Sequence, residues 1–237
     1  MPESTLPKLT FQYGSSARTI SRDQIYNDLP TTMSYDQITI RARPGTNLWR
    51  KPPITDIDNA PTFLIPTPIN IHKFRSARVT VSADWSTPHD QGGLVLFILD
   101  EDNTKWVKTG IECAEGEPQV GTVATRRSSD WSTVPLGAKE GGKVTIQVER
   151  EVEDGEKVES LWVHIIEKTG EKVGIRQINW WFKQDALDKK VTTDSEKNRC
   201  LLIGVYAARP KIPEGQGRER EELVVKLDRF EVKLFDD

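Results

Sequence analysis

The sequence has little of what most metal centres and hydrolytic sites are built from. Histidine occurs three times and cysteine twice in 237 residues, and His72, His89 and His164 fall on separate segments. The two cysteines cannot supply a paired-cysteine zinc spacing, and neither G-x-S-x-G nor a glycine loop for phosphate is present. Asp100, Glu101, Asp102 and Asn103 resemble part of a calcium loop, but the EF-hand spacing and its glycine are missing, so they read as a solvated turn. No metal and no cofactor is expected. No apolar run approaches the ~20 residues of a membrane span. The first residues, MPESTLPKLTFQYGSS, have no basic region followed by an apolar core, so the expected location is the cytosol. There Cys113 and Cys200 read as buried thiols, with no disulfide. With 33 Lys+Arg against 36 Asp+Glu and a formal charge of -3, a basic footprint for nucleic acid is absent as well.

Helical periodicity is almost absent too, and what fills its place is alternation with a period of two. Ile38 to Ala42, Ala77 to Asp84, Lys143 to Glu149 and Leu161 to Ile165 each place apolar residues at every second position, the pattern of a strand with one buried face. Leu94 to Leu99 and Cys200 to Ala208 are apolar on both faces, as expected of central strands. Leu223, Val225 and Leu227, then Phe230, Val232 and Leu234, close the chain. Turn chemistry separates these runs: Glu115-Gly116-Glu117-Pro118 between two strands, and Asp154-Gly155 with hairpin character. PGTNLWRKPP reads as a loop around Trp49, since Pro52 and Pro53 forbid a central strand. Val173 to Phe182 reads as a further strand. Strands at short spacing predict a β-sandwich or barrel, and the length suits one large all-β domain. The expected organisation is an N-terminal arm over residues 1–36 packed on the core, then one domain over 37–237, with a short helical or loop insertion at 183–198.

Candidate chemistry concentrates between His89 and Ser132. On the strand Trp106 to Glu112, Val107, Thr109 and Ile111 face one way, while Trp106, Lys108, Gly110 and Glu112 face the other. Two residues of rise, about 7 Å, separate Trp106 from Lys108 and permit a cation–π contact. Lys108 and Glu112 lie about 13 Å apart along the strand, with Gly110 leaving a notch between them that Trp131 or a ligand could fill. Asp90, Gln91 and Asp130 stand near strand ends close by, and Trp49 is a candidate on the rim.

The ordered set HDQGGL, WVKTGIE, SDWS and IGVYAARP, followed by a closing F-x-x-x-x-F segment, resembles an uncharacterised family of concanavalin A-like β-sandwich proteins whose fungal members are named for regulation of enolase. The resemblance covers roughly residues 45 to 234. It implies a jelly-roll sandwich of two antiparallel sheets with a concave face, and a cytosolic protein linked to enolase in carbon metabolism. Bacterial relatives commonly begin the first motif with Tyr where this chain has His89, and the stretch from Lys183 to Asn198 is longer than their usual connection. The family has no agreed catalytic residues to carry over.

The expected function is therefore non-enzymatic: a concave face that binds a sugar-like molecule, or a metabolic-enzyme partner such as enolase. Its ligand-binding candidates are Trp49, His89, Asp90, Gln91, Trp106, Lys108, Glu112, Asp130 and Trp131. Rings cover the apolar faces of a sugar while charged groups bond its hydroxyls. The alternative is a carbohydrate-active enzyme, a glycoside hydrolase or isomerase, with Glu112 and Asp130 as its carboxylates about 5–9.5 Å apart. In a third reading residues 184–198 form a docking insertion on a pure scaffold.

Overall fold

Alternation in the sequence becomes two stacked sheets, because each strand has one apolar face that only a second sheet can cover. The computed structural model describes residues 8–13, 29–98, 104–137, 141–183, 199–215, 217 and 220–236. Most of the expected arm, the Asp100–Asn103 turn and all of the expected insertion except Lys183 lie outside the described residues. The strands are β1 (Thr10–Tyr13), β2 (Thr32–Ala42), β3 (Leu48–Lys51), β4 (Thr55–Asp58), β5 (Pro61–Leu64), β6 (Ile69–Asn70), β7 (Phe74–Ser82) and β8 (Gln91–Ile98). They continue with β9 (Lys105–Ala114), β10 (Glu117–Thr125), β11 (Ser129–Pro135), β12 (Lys143–Glu153), β13 (Glu156–Ile166), β14 (Lys172–Ile178), β15 (Cys200–Ala208) and β16 (Leu223–Leu234). No helix is present among the described residues, so none of them forms a helix long and apolar enough to cross a membrane.

The larger sheet runs β1-β5-β15-β8-β9-β10-β11, with β6 beside β15, and the smaller runs β14-β13-β12-β7-β16-β2. Every pairing within them is antiparallel. This is the concanavalin A-like jelly-roll sandwich. Leu94, Leu96, Val107, Ile111, Ile203 and Val205 of the larger sheet meet Val79, Val81, Ile146, Val148, Val225 and Leu227 of the smaller in one core. Burying each such side chain stabilises the fold by about 1.5–3 kcal/mol. Asp154 and Gly155 take φ of 51° and 84°, the left-handed pair of a tight hairpin turn, and join β12 to β13 where the sequence placed that turn. The skip from Leu227 to Phe230 in the apolar pattern has a cause as well. Arg229 has φ of 52° and the register against β7 shifts between Asp228 and Glu231, so a bulge returns Phe230 to the core face.

Three segments differ from expectation. The stretch around Trp49 is a hairpin, not a loop: β3 pairs with β4, Trp49 opposite Ile57, and Pro52 and Pro53 occupy its tip, where no ladder donor is required. The strand starting at Lys172 ends at Ile178, and the following turn drives Trp181 and Phe182 into the core. Residues 32–36 belong to β2, an edge strand of the smaller sheet.

The hairpin β3–β4 matters most for the site. It lies over the face of the larger sheet that is turned away from the smaller one. Leu48 and Ala60 pack there with Leu64, Val95, Phe97, Trp106, Val123, Leu202, Tyr206 and Ala208 into a second core, with Trp49 at its margin. That cover is why β8, β9 and β15 are buried on both faces: each has one face in the sandwich and the other beneath a hairpin.

Candidate functional site

The outer face of the larger sheet is laid out by register. One row contains Val95, Lys108, Val123 and Trp131; the next contains Gly93, Gly110 and Gly121; the third contains Gln91, Glu112 and Gln119. Chemistry therefore flanks a shallow line of glycines. The notch expected at Gly110 is not open. A Cβ built there would come 2.0 Å from the Gly92 carbonyl oxygen and 2.7 Å from the Gly93 Cα, so glycine is required because β8 and β9 approach too closely for a side chain.

Three of the candidates, Gln91, Trp106 and Lys108, form a sealed cluster with Tyr206. Lys108 is buried, and its Nζ donates to the Leu48 carbonyl at 2.7 Å and to Gln91 Oε1. The same ammonium lies 5.9 Å from the Trp106 ring and 5.8 Å from the Tyr206 ring, so the expected contact between Trp106 and Lys108 is present. Burial lowers the Lys108 pKa to about 8, against an opposing pull from the Glu112 charge. Burial likewise holds the Tyr206 hydroxyl well above its ordinary range. Gln91 completes the box by donating from Nε2 to the His89 carbonyl at 3.1 Å. Trp106, Lys108 and Gln91 are all closed off beneath the hairpin. Trp49, half-buried on that hairpin, acts as its packing edge.

Asp90 is also internal. Its two carboxylate oxygens take a forked pair of bonds from Arg209, Nε to Oδ1 at 2.8 Å and Nη2 to Oδ2 at 2.7 Å, with both side chains almost wholly enclosed. Oδ2 further accepts the Thr87 amide at 3.0 Å. Asp90 thus ties the turn before β8 to the end of β15, an anchoring role and not one of touching a ligand.

What remains open is the rim. His89, in that anchored turn, has φ of 67°, a left-handed conformation that histidine adopts more readily than most residues. Its amide donates to the Cys113 carbonyl at 2.8 Å, and its Nδ1 lies 3.0 Å from Glu112 Oε1. A carboxylate accepts, so the imidazole is the donor of this contact. The His89 side chain is 44% exposed, and Trp131 is 42% exposed, its ring edge-on to the imidazole with centroids 6.4 Å apart. Glu112 Oε2 and Trp131 Nε1 both reach over Gly121, at 3.2 Å and 3.9 Å from where its Cβ would stand. Trp131 therefore covers Gly121 and not Gly110.

Asp130 does not join them. Neighbouring residues on a strand face opposite ways, so Asp130 leaves β11 on the face away from Trp131. Its carboxylate, 73% exposed, takes a 2.7 Å ion pair from Arg176 on β14, and Arg176 also bonds Ser132. Glu112 and Asp130 thus project from opposite faces of one sheet and cannot flank a single sugar bond. Among the described residues no group of three His, Cys, Asp or Glu side chains is placed to hold a metal ion. Cys113 and Cys200 are buried thiols outside any disulfide. Sequence reasoning missed Arg209 and Tyr206. The signal for Arg209 was there: an arginine closing the apolar run of β15 has to find a buried carboxylate.

Residues 27–234 match the model of a family described as "Protein of unknown function (DUF1349)". An uncharacterized protein from Emericella nidulans is 38% identical over 201 residues, which cover 84% of this chain and 88% of that protein. Regulation of enolase protein 1 from Saccharomyces cerevisiae is 36% identical over 62 residues, 26% of this chain and 30% of that protein. Among solved structures, a functionally unknown protein from Saccharomyces cerevisiae superposes with a TM-score of 0.58 at 18% identity, over 87% of this chain and 98% of that one. A mutant of the GH43 protein BlXynB from Bacillus licheniformis gives 0.54 at 13% identity, over 83% of this chain and 33% of that one. At such identities these two likenesses concern the fold alone.

Proposed function

The chain belongs to the DUF1349 family, and from that premise we propose that it is a non-enzymatic cytosolic protein that binds a small sugar-like molecule at the rim formed by His89, Glu112 and Trp131. The observation that carries this is the half-exposed Trp131 ring standing beside a carboxylate already fixed by His89. A ring of this kind stacks on the apolar face of a sugar while the carboxylate and imidazole bond its hydroxyls. The alternative occupant of this face is a metabolic-enzyme partner. The printed name of the Saccharomyces cerevisiae relative, matched over 62 residues, supports enolase as that partner, and the buried thiols suit a reducing compartment.

The enzymatic alternative lacks its geometry, because two carboxylates about 5–9.5 Å apart are needed and Glu112 and Asp130 leave opposite faces. Titration calorimetry with a panel of free sugars tests the binding reading. Wild type and Asp130→Ala give equal heats, whereas Trp131→Ala loses binding by about five- to thirtyfold, the order expected when an aromatic contact of about 1–2 kcal/mol is removed. No heat from wild type with any sugar, or undiminished binding by Trp131→Ala, refutes it.

A further inference from the structure

We propose that Ser129 is a phosphorylation site for a protein kinase that reads arginines upstream of its serine, and that the phosphate tightens the clasp holding the β3–β4 hairpin over the Lys108 box. The site is independent of what the rim binds. Arg126-Arg127-Ser128-Ser129 contains the sole pair of adjacent arginines in the sequence, placing cations three and two residues before Ser129. A kinase whose substrate groove carries carboxylates takes such a pair as charge-assisted forks, and substrate choice follows that charge pattern. The surroundings suit access. Arg127 and Ser128 are exposed in the turn between β10 and β11, with Arg126 and Ser129 half-buried at its two ends. Ser129 is the first residue of β11, an edge strand that pairs with β10 alone, so freeing it takes the opening of one strand end and not of the core.

Ser129 also holds part of the fold together. Its Oγ accepts the Arg50 amide at 3.0 Å and lies 3.0 Å from Thr125 Oγ1. The Arg50 side chain joins the same turn, donating from Nη1 to the Arg126 carbonyl at 3.2 Å and to the Thr104 carbonyl at 3.0 Å. Arg50 belongs to β3, whose Leu48 carbonyl receives the Lys108 ammonium. The turn therefore fastens the hairpin, and Ser129 is one of its fasteners. In the transfer, Ser129 Oγ forms a bond to the γ-phosphorus of ATP while the bond from that phosphorus to the β–γ bridging oxygen breaks; ADP leaves, and the hydroxyl proton passes to the kinase's catalytic carboxylate. The product carries about −1.5 to −2 charge and three acceptor oxygens, set beside the Arg50 amide with Arg126 and Arg127 on the same turn. Of the nearby carboxylates, Asp130 is held by Arg176 on the other face of the sheet and Asp56 by the Arg50 guanidinium. Bonds to an ionised acceptor are roughly twice as strong as neutral ones, so the clasp gains strength.

Incubation of the full chain with ATP and the catalytic subunit of cyclic-AMP-dependent protein kinase, an enzyme that prefers a pair of arginines at these spacings, tests the site by peptide mass mapping. The expected result is one phosphoryl group on Ser129, with the initial rate lowered at least about tenfold in Arg127→Ala. Arg127 is exposed, so that variant leaves the fold intact. Hydrogen exchange then reads the clasp. Amides of residues 48–51 exchange about three- to tenfold more slowly in the phosphorylated protein than in the unmodified one. In Ser129→Ala, checked for folding by thermal melting, they exchange faster by a similar factor. No incorporation, a phosphate on Ser128 or elsewhere with Ser129 unmodified, or an Arg127→Ala rate within about twofold of wild type overturns the assignment of the site. Unchanged or faster exchange at residues 48–51 after phosphorylation overturns the tightening of the clasp.

Discussion

Asp90→Ala should be among the most destabilising single substitutions in this protein, although Asp90 touches nothing outside it. The wild-type carboxylate takes two guanidinium bonds of 2.8 and 2.7 Å and one amide bond of 3.0 Å, and the side-chain exposures of Arg209 and Asp90 are 2% and 0%. Removing it leaves an arginine charge in the interior that keeps a bond to the Glu221 carbonyl but has no counter-charge. Breaking a buried pair in this way costs about 3–5 kcal/mol. For a protein of this size each kcal/mol lowers Tm by about 2–4 °C, so a fall of about 6–20 °C is expected. Urea unfolding followed by tryptophan fluorescence gives the free energy, and calorimetry gives Tm. The double variant Asp90→Ala, Arg209→Met separates charge from packing. With neither charge present it should recover part of the loss, a coupling of about 1–3 kcal/mol. A cost below about 1 kcal/mol for Asp90→Ala, or strict additivity in the double variant, would refute the claim that this pair anchors the turn containing His89.

Lys108 makes stability depend on pH in a direction fixed by its environment. Burial lowers its pKa to about 8 from an unfolded value near 10.4, so the folded protein releases this proton first. The penalty of the buried cation is present in full below about pH 8 and is relieved as pH rises toward about 10.4, by on the order of 3 kcal/mol. The difference in urea stability between wild type and Lys108→Met should therefore shift in favour of wild type between about pH 7 and about pH 10; a constant difference excludes a perturbed lysine. Gly110→Ala should cost about 3 kcal/mol or more, because its Cβ would stand 2.0 Å from the Gly92 oxygen. Gly116→Ala, in an open turn with nothing within 4 Å, should cost only about 1–2 kcal/mol for its left-handed backbone. Equal urea midpoints for these two variants would contradict the close approach of β8 and β9.

Much of the fold was legible because the sandwich writes itself into the sequence with a period of two. Residues 200–208 and 223–234 were read with the bounds that β15 and β16 have, although the bulge behind the skip from Leu227 to Phe230 was not read. Turn chemistry at Asp154-Gly155 carried equal weight. β3–β4 was hidden because prolines were taken to exclude pairing, whereas they exclude only the ladder positions and are at home in a hairpin tip. At the site, membership of one face was legible: Trp106, Lys108 and Glu112 do share it. Burial was not, since the cover comes from a segment some fifty residues earlier in the chain, and no local pattern on β9 records what lies above it. The direction of Asp130 was missed for a different reason: it was placed only near a strand end, which left the phase of β11 unassigned.

The hairpin divides one row of polar residues into two kinds of environment, and that division bears on function. Lys108 and Gln91 face a covered box and satisfy one another there. Glu112, two rows beyond Lys108 on the same alternating face, stands where the cover ends and meets His89 and Trp131 instead. The buried cation cannot be reached from outside, yet its field acts on the carboxylate at the edge of the box, because charges in a weakly screened interior interact more strongly than in water. A change that leaves the rim untouched but loosens the cover, such as Leu48→Ala, would therefore let water screen that field. It would change the electrostatic setting of Glu112 without altering any residue that touches it. Lys108 and the hairpin are on this account positioning elements for a rim of three side chains, which explains why the chemistry of the stretch is dense while its exposed part is small.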